Sequence, residues 1–211
     1  MKIDLSMTHL LLAFILLFSA CSSPQKDTVA ESQSSVDPDK ILIVYLSRTN
    51  NTRAVAGIIH QQVGGKLIAL ELTNPYPENY RAIVDQVARE NETGYLPPLK
   101  TKIDSIDKYE LVFVGFPTWG MQLPPPMKSF LSQYDLTGKT VVPFNTNAGY
   151  GIGSSFQTVK QLCPNSTVLE GFSTKGGVER DGILFVMEGE KEKQVKDEIA
   201  NWLQKINLSK K

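Results

Sequence analysis

The chain has 211 residues, 41% hydrophobic and 21% charged, with 22 Lys and Arg against 22 Asp and Glu. That length suits one domain of ordinary size, and the composition is that of a globular protein rather than a disordered one. A formal charge of zero leaves no electrostatic footprint for nucleic acid or another polyanion.

Residues 1–21 read as a signal segment. Lys2 precedes an apolar run from Leu10 to Phe18, and Ser19 and Ala20 lead into Cys21. The run is well short of the ~20 residues that span a bilayer, so export is expected rather than a retained span. The stretch FSAC resembles a bacterial lipoprotein signal, with Phe18 where Leu is usual. The resemblance implies lipidation of Cys21 and attachment to a membrane of the bacterial cell envelope; cleavage by an ordinary signal peptidase is the alternative. Residues 22–39, SSPQKDTVAESQSSVDPD, carry no large apolar side chain apart from two valines and read as a flexible tether. The folded part is then 40–211, with 20 Lys and Arg against 17 Asp and Glu, about +3. Cys163 is left as a lone thiol at the end of a helical pattern, where a small buried hydrophobe is expected.

The domain opens with ILIVYL, 41–46, a continuous apolar run rich in Ile and Val. Such a run fits a strand buried on both faces of a parallel sheet. A polar loop, SRTNNT, follows, and then a helix with Val55, Ile58, Ile59 and Val63 on one face, ended by Gly64-Gly65. A second strand spans 67–72. After NPYPENY, the residues Tyr80, Ile83, Val84 and Val87 mark a second helix, and Pro97-Pro98 bar its extension. A polar connector, 99–109, leads to a third strand, 111–116, and the loop PTWGMQLPPP. Met127, Phe130, Leu131 and Tyr134 define a third helix. The fourth strand, 140–144, runs into NTNAGYG, then a helix through Ile152, Phe156, Val159 and Cys163. A fifth strand covers 167–171 or reaches 172, and GILFVM, 182–187, is either a short extra strand or a helix lead-in. The last helix carries Val195, Ile199, Trp202, Leu203 and Ile206. Strict alternation of strands and helices predicts an α/β fold, a five-stranded parallel sheet wound with helices on both faces.

In such a sheet the loops after strands one, three and four share one edge, where ligands bind. Ser47, Thr49 and Thr52 bring hydroxyls, and Asn50 and Asn51 tolerate left-handed backbone. With a helix N-terminus behind them, Ser47, Arg48, Thr49, Asn50, Asn51 and Thr52 form a nest for a phosphate. A helix cap accounts for one such residue, not six in a row. The loop is neither a Walker loop nor a G-x-G-x-x-G fingerprint. Gly149, Gly151 and Gly153 follow the fourth strand and fit backbone lying close to a planar ligand. Trp119, flanked by Pro117 and Gly120 at a strand's carboxyl end, reads as a stacking surface rather than core.

SRTNNT resembles the phosphate loop of flavodoxins, usually Thr/Ser-x-Thr-Gly-Asn-Thr. PTWG and FNTNAGYGIGSS resemble the two ring-flanking loops of bacterial flavodoxin-like proteins, familiar as PxWWG and FxTSGGSG. Similarity runs over about 40–206 and includes PYPENY and the closing Trp202-Leu203 helix. It implies strand order 2-1-3-4-5 and FMN as cofactor. Ser47–Thr52 would hold the phosphate, with Pro117, Thr118, Trp119 and Gly120 on one side of the ring. Thr146, Asn147, Ala148, Gly149, Tyr150 and Gly151 would meet the other side. Asn50 stands where Gly is usual, Thr118 where the first Trp is, and Asn147-Ala148 where Ser-Gly is.

The expected function is FMN-dependent electron transfer with a partner protein or a small-molecule acceptor, in an exported chain anchored at Cys21. An FMN-dependent NAD(P)H or quinone-type reductase is the alternative, as is a binding protein of this fold that has lost the cofactor. Redox chemistry of the cofactor needs no catalytic acid or base. His9 lies in the signal segment, and His60 is expected to be solvated mid-helix, a poor partner for a nucleophilic Ser47. No metal-ligand cluster is evident in the sequence.

Overall fold

The computed structural model describes residues 36–209. The signal segment, Cys21 and most of the tether lie outside the described residues. Residues 36–39, read as tether, belong to the fold: Val36 packs against the core, and the Asp37 carboxylate accepts from the Asp39 N–H at the start of the 3-10 turn Pro38–Lys40.

The central strands are β1 (Ile41–Tyr45), β3 (Leu111–Pro117) and β4 (Thr140–Asn147), with β2 (Lys66–Ala69) at one edge. The parallel order is β2-β1-β3-β4 followed by β5 (Thr167–Val168), with β6 (Phe172–Lys175) also paired to β4. This is the doubly wound arrangement that the sequence implies. Every residue of β1 is buried, because alternate side chains feed two separate cores. Ile41, Ile43, Tyr45, Phe113 and Phe144 face α1 (Asn51–Val63) and α5 (Gly189–Lys205). Leu42, Val44, Val112, Val114 and Phe116 face α3 (Pro125–Gln133) and α4 (Ser155–Leu162). A period of two with both faces apolar is what turns these strands into unbroken hydrophobic runs. The helix α2 (Tyr80–Thr93) lies beside α3 and buries Ile83 and Val87.

Three expectations are corrected and a fourth is resolved between its two alternatives. The second strand ends at Ala69, because Glu71–Thr73 turn away and bond to 98–101, with an antiparallel bridge from Leu72 to Leu99; that connector is therefore partly structured. The fifth strand is two pieces, β5 (Thr167–Val168) and β6 (Phe172–Lys175). Residues 169–171 stand opposite only Val142 and Pro143, an inserted residue of the bulge kind. Pro143 has no N–H to donate and sits where the ladder breaks. A Cβ on Gly171 would lie 2.5 Å from the Phe156 ring and 2.8 Å from the Pro143 carbonyl, so the chain passes too close for a side chain. Of the two alternatives for 182–187 the lead-in holds: residues 184–187 form no strand and run into α5 at Gly189, and Ile183 makes only an isolated bridge to Val178. His60 is half-buried rather than solvated, with Nε2 3.0 Å from the Gly65 carbonyl.

Candidate functional site

The loop between β1 and α1 turns on Asn50, whose φ of 63° is left-handed. Asn50 is the N-cap of α1, yet its side chain makes no capping bond. Ser47 does that work, its Oγ accepting from the Arg53 N–H at 3.2 Å. The backbone N–H groups of Ser47, Arg48, Thr49, Asn50, Asn51 and Thr52 donate to no acceptor among the described residues. They adjoin the positive end of a 13-residue helix, which is the arrangement that attracts an anion.

Side chains of the loop divide between holding it and leaving donors free. Asn51 is buried and fully engaged: Nδ2 donates to Thr49 Oγ1 at 2.8 Å and the Leu184 carbonyl at 2.6 Å, and Oδ1 accepts from the Val186 N–H. Thr52 Oγ1 is 2.8 Å from Thr146 Oγ1, tying the first loop to the end of β4. The Arg48 guanidinium is engaged by other partners. Its Nε meets both Glu179 carboxylate oxygens at 2.8 and 3.0 Å, and its other nitrogens donate to the carbonyls of Pro77 and Glu78. The nest is therefore built of neutral donors, the free N–H groups together with the Ser47 and Thr49 hydroxyls.

The other two predicted loops are bonded to each other. The Thr118 hydroxyl donates to the Gly151 carbonyl at 3.0 Å and accepts from Asn145 Nδ2, and the Thr118 N–H donates to the Thr146 carbonyl. Thr118 is thus a strap between loops. Trp119 and Gln122 close a two-residue turn by reciprocal backbone bonds, with Gly120 and Met121 both at positive φ. The Trp119 ring is half-buried, edge-on to Tyr76 with centroids 5.5 Å apart. Tyr76 donates to the buried Glu90 carboxylate, and burial together with that carboxylate holds the phenol pKa far above its ordinary value. Asn147 shapes the last loop, its Oδ1 accepting from the N–H groups of Gly149 and Gly151. Gly149 and Gly151 have φ of 99° and 85°, and Tyr150 between them is exposed.

These loops surround a cavity of about 500 Å³, within the range for small-molecule and cofactor sites. Arg48, Thr49, Asn51, Thr52, Pro117, Thr118, Trp119, Gly120, Thr146, Asn147 and Ala148 from the predicted set line it. Tyr150 and Gly151 line an adjoining cavity of about 210 Å³. Ser47, Asn50 and Gly149 reach neither wall. Two contributions escaped the sequence reading. One is a face of α2, from Tyr80 to Asn91. The other is the loop after β6, with Gly176, Gly177 and Glu179. A Cβ on Gly176 would lie 3.3 Å from the Asn51 side chain, so this loop presses on the nest. The signal available was the rule itself: β2 and β6 are parallel members of the sheet, so their following loops share the same edge.

A search of family models finds the flavodoxin model matching residues 40–206. The chain belongs to the flavodoxin family. Solved structures with the flavodoxin fold agree in architecture. One, described as a flavoprotein from Bacteroides eggerthii, is 29% identical with a TM-score of 0.62, covering 79% of this chain and 97% of that one. Another, described as a flavoprotein from Bacteroides uniformis, is 23% identical with a TM-score of 0.63, covering 77% and 99%. A Lactobacillus acidophilus flavoprotein crystallised in complex with FMN is 19% identical with a TM-score of 0.58, covering 69% and 98%. No curated protein sequence matches the chain. Among the described residues there is no cluster of three or more potential metal ligands from His, Cys, Asp and Glu, and no helix long and apolar enough to cross a membrane.

Proposed function

We propose that this flavodoxin-family domain binds FMN and transfers electrons through it, in an exported chain held to the bacterial cell envelope by lipid on Cys21. The observation that carries the reading is the nest of free backbone N–H groups at 47–52 beside a cavity of about 500 Å³. A phosphate meets unpartnered donors there, and the planar ring meets Trp119 on one side and the 146–151 loop on the other. FMN, when bound, supplies one- and two-electron redox chemistry. The chain's residues bind the phosphate, stack the ring and fix the loops around it, and none is required as an acid or base.

The folded part is about +3 (20 basic against 17 acidic residues from Lys40 onward). It lacks the acidic excess that steers a shuttle toward basic partners, and this favours an acidic protein partner or a small-molecule acceptor. The test is titration of the purified chain with FMN and with riboflavin, read by flavin fluorescence, with the absorbance spectrum of the protein as isolated. FMN is expected to bind, and riboflavin to bind at least ~100-fold more weakly, since two hydrogen bonds to a charged group already amount to about 3 kcal/mol. Equal affinities would remove the nest from the proposal, and a colourless protein with no FMN-induced thermal shift would end the flavin reading. Reduction by a protein donor without steady-state NAD(P)H consumption supports electron transfer over a reductase.

A further inference from the structure

The large cavity extends well beyond the nest. Ile83, Val84, Val87, Ala88 and Asn91 line it from α2, at the spacing of a single helical face. From Tyr80 to Asn91 that face runs about 16 Å. Trp119 and Gln122 form the opposite wall. Val84 is 45% exposed and Tyr80 41%, an apolar surface that the chain itself leaves uncovered. The ring is expected where the 117–120 and 146–151 loops converge, and the α2 half of the cavity is then left over.

The far end of this half has a defined polarity. Lys128 Nζ donates to Asn91 Oδ1 at 2.9 Å and lies 3.4 Å from Gln122 Oε1. Both amide oxygens are therefore turned to the ammonium. The amide N–H₂ groups of Asn91 and Gln122, which donate to no acceptor among the described residues, are what remain for a ligand. Lys128 has its charge satisfied by these oxygens, and the Glu92 carboxylate at the rim repels an anion. An apolar slot ending in neutral donors fits a flat, uncharged molecule bearing a carbonyl oxygen.

We propose that the groove between α2 and the 119–122 turn is a second binding site, for a planar apolar carbonyl compound of the quinone or aromatic ketone class. The proposal rests on the flavin reading, which it deepens by naming the class of small molecule brought beside the ring. The experiment uses the full chain loaded with FMN and kept oxidised, titrated calorimetrically with menadione (2-methyl-1,4-naphthoquinone). Ala88→Trp fills the groove from an exposed helical position, and Gln122→Leu removes one donor. Thermal melts verify that both variants are folded. Saturable binding is expected, weakened by about tenfold or more in A88W and about fivefold in Q122L, while FMN affinity stays within about threefold of the parent. Absence of saturable binding, or undiminished binding by A88W, overturns the proposal. So does a parallel loss of FMN affinity in A88W, which would mean that the groove holds the flavin ring itself. Should the parent chain take no FMN, the flavin reading fails separately, and menadione titration of the cofactor-free chain decides the groove by the same criteria.

Discussion

At Asn50 a side chain is held at φ 63° without any capping bond of its own. Asn tolerates that region, whereas a β-branched residue does not. Asn50→Val should lower stability by about 1–2 kcal/mol in thermal or urea melts and weaken FMN binding with it. Asn50→Gly should leave both intact. Cys163 is buried, and burial pushes its thiol up to about 11 from an ordinary 9.0. At pH 8 only about one molecule in a thousand carries the thiolate. Iodoacetamide should therefore modify Cys163 at least ~100-fold more slowly in the native protein than in urea, as peptide mass spectrometry would show. The sign for stability follows from the raised value. Folding favours the protonated thiol, so this contribution is complete below about 9 and is lost as pH rises through about 11. Cys163→Ala should flatten that alkaline decline in a pH series of melts.

Among the elements, the loop after β6 owes its position to two residues of the β1 loop. Arg48 grips Glu179 together with the carbonyls of Pro77 and Glu78, and Asn51 holds Leu184 and Val186. Arg48→Met removes every donor of the first grip. The pair is partly exposed, so the cost should be modest, about 1–2 kcal/mol, with faster hydrogen exchange of the 178–186 amides as the specific signature. Helix α5 closes the opposite face. Trp202 is buried against Phe113 and Phe172, and its Nε1 donates to the Glu170 carbonyl at 3.0 Å. Trp202→Ala should cost about 3–5 kcal/mol by denaturant melts. Because Glu170 stands in the interruption between β5 and β6, exchange there should rise first.

For the whole molecule, the strand order puts β1 and β3 side by side although β2 follows β1 in the chain. The loops leaving β1 and β3 therefore diverge toward opposite faces and open a crevice at the sheet edge. The proposed envelope attachment rests on Cys21, outside the described residues. Cys21→Ser in the producing bacterium should move the chain from the membrane fraction to the soluble exported fraction and abolish lipid labelling. FMN affinity of the domain should be unchanged.

The sequence by itself determined the alternation of strands and helices, the two-faced burial of β1, β3 and β4, and the loop that becomes the nest. These are short-range facts: an apolar period, a glycine pair, a run of hydroxyl and amide side chains. What it left open depends on packing between distant segments. Arg48 reads as one of six residues of a phosphate loop, and only the position of Glu179, 131 residues away, turns it into a clamp. Thr118 reads as a lost stacking ring, and only its bond to Gly151 makes it a strap. The split of the last strand and the α2 wall of the cavity arise likewise, from the close passage of Gly171 by Phe156 and from Trp119 facing α2. Local pattern chooses the elements, while the contacts that give each site residue its task form only when the sheet brings its five loops to one edge.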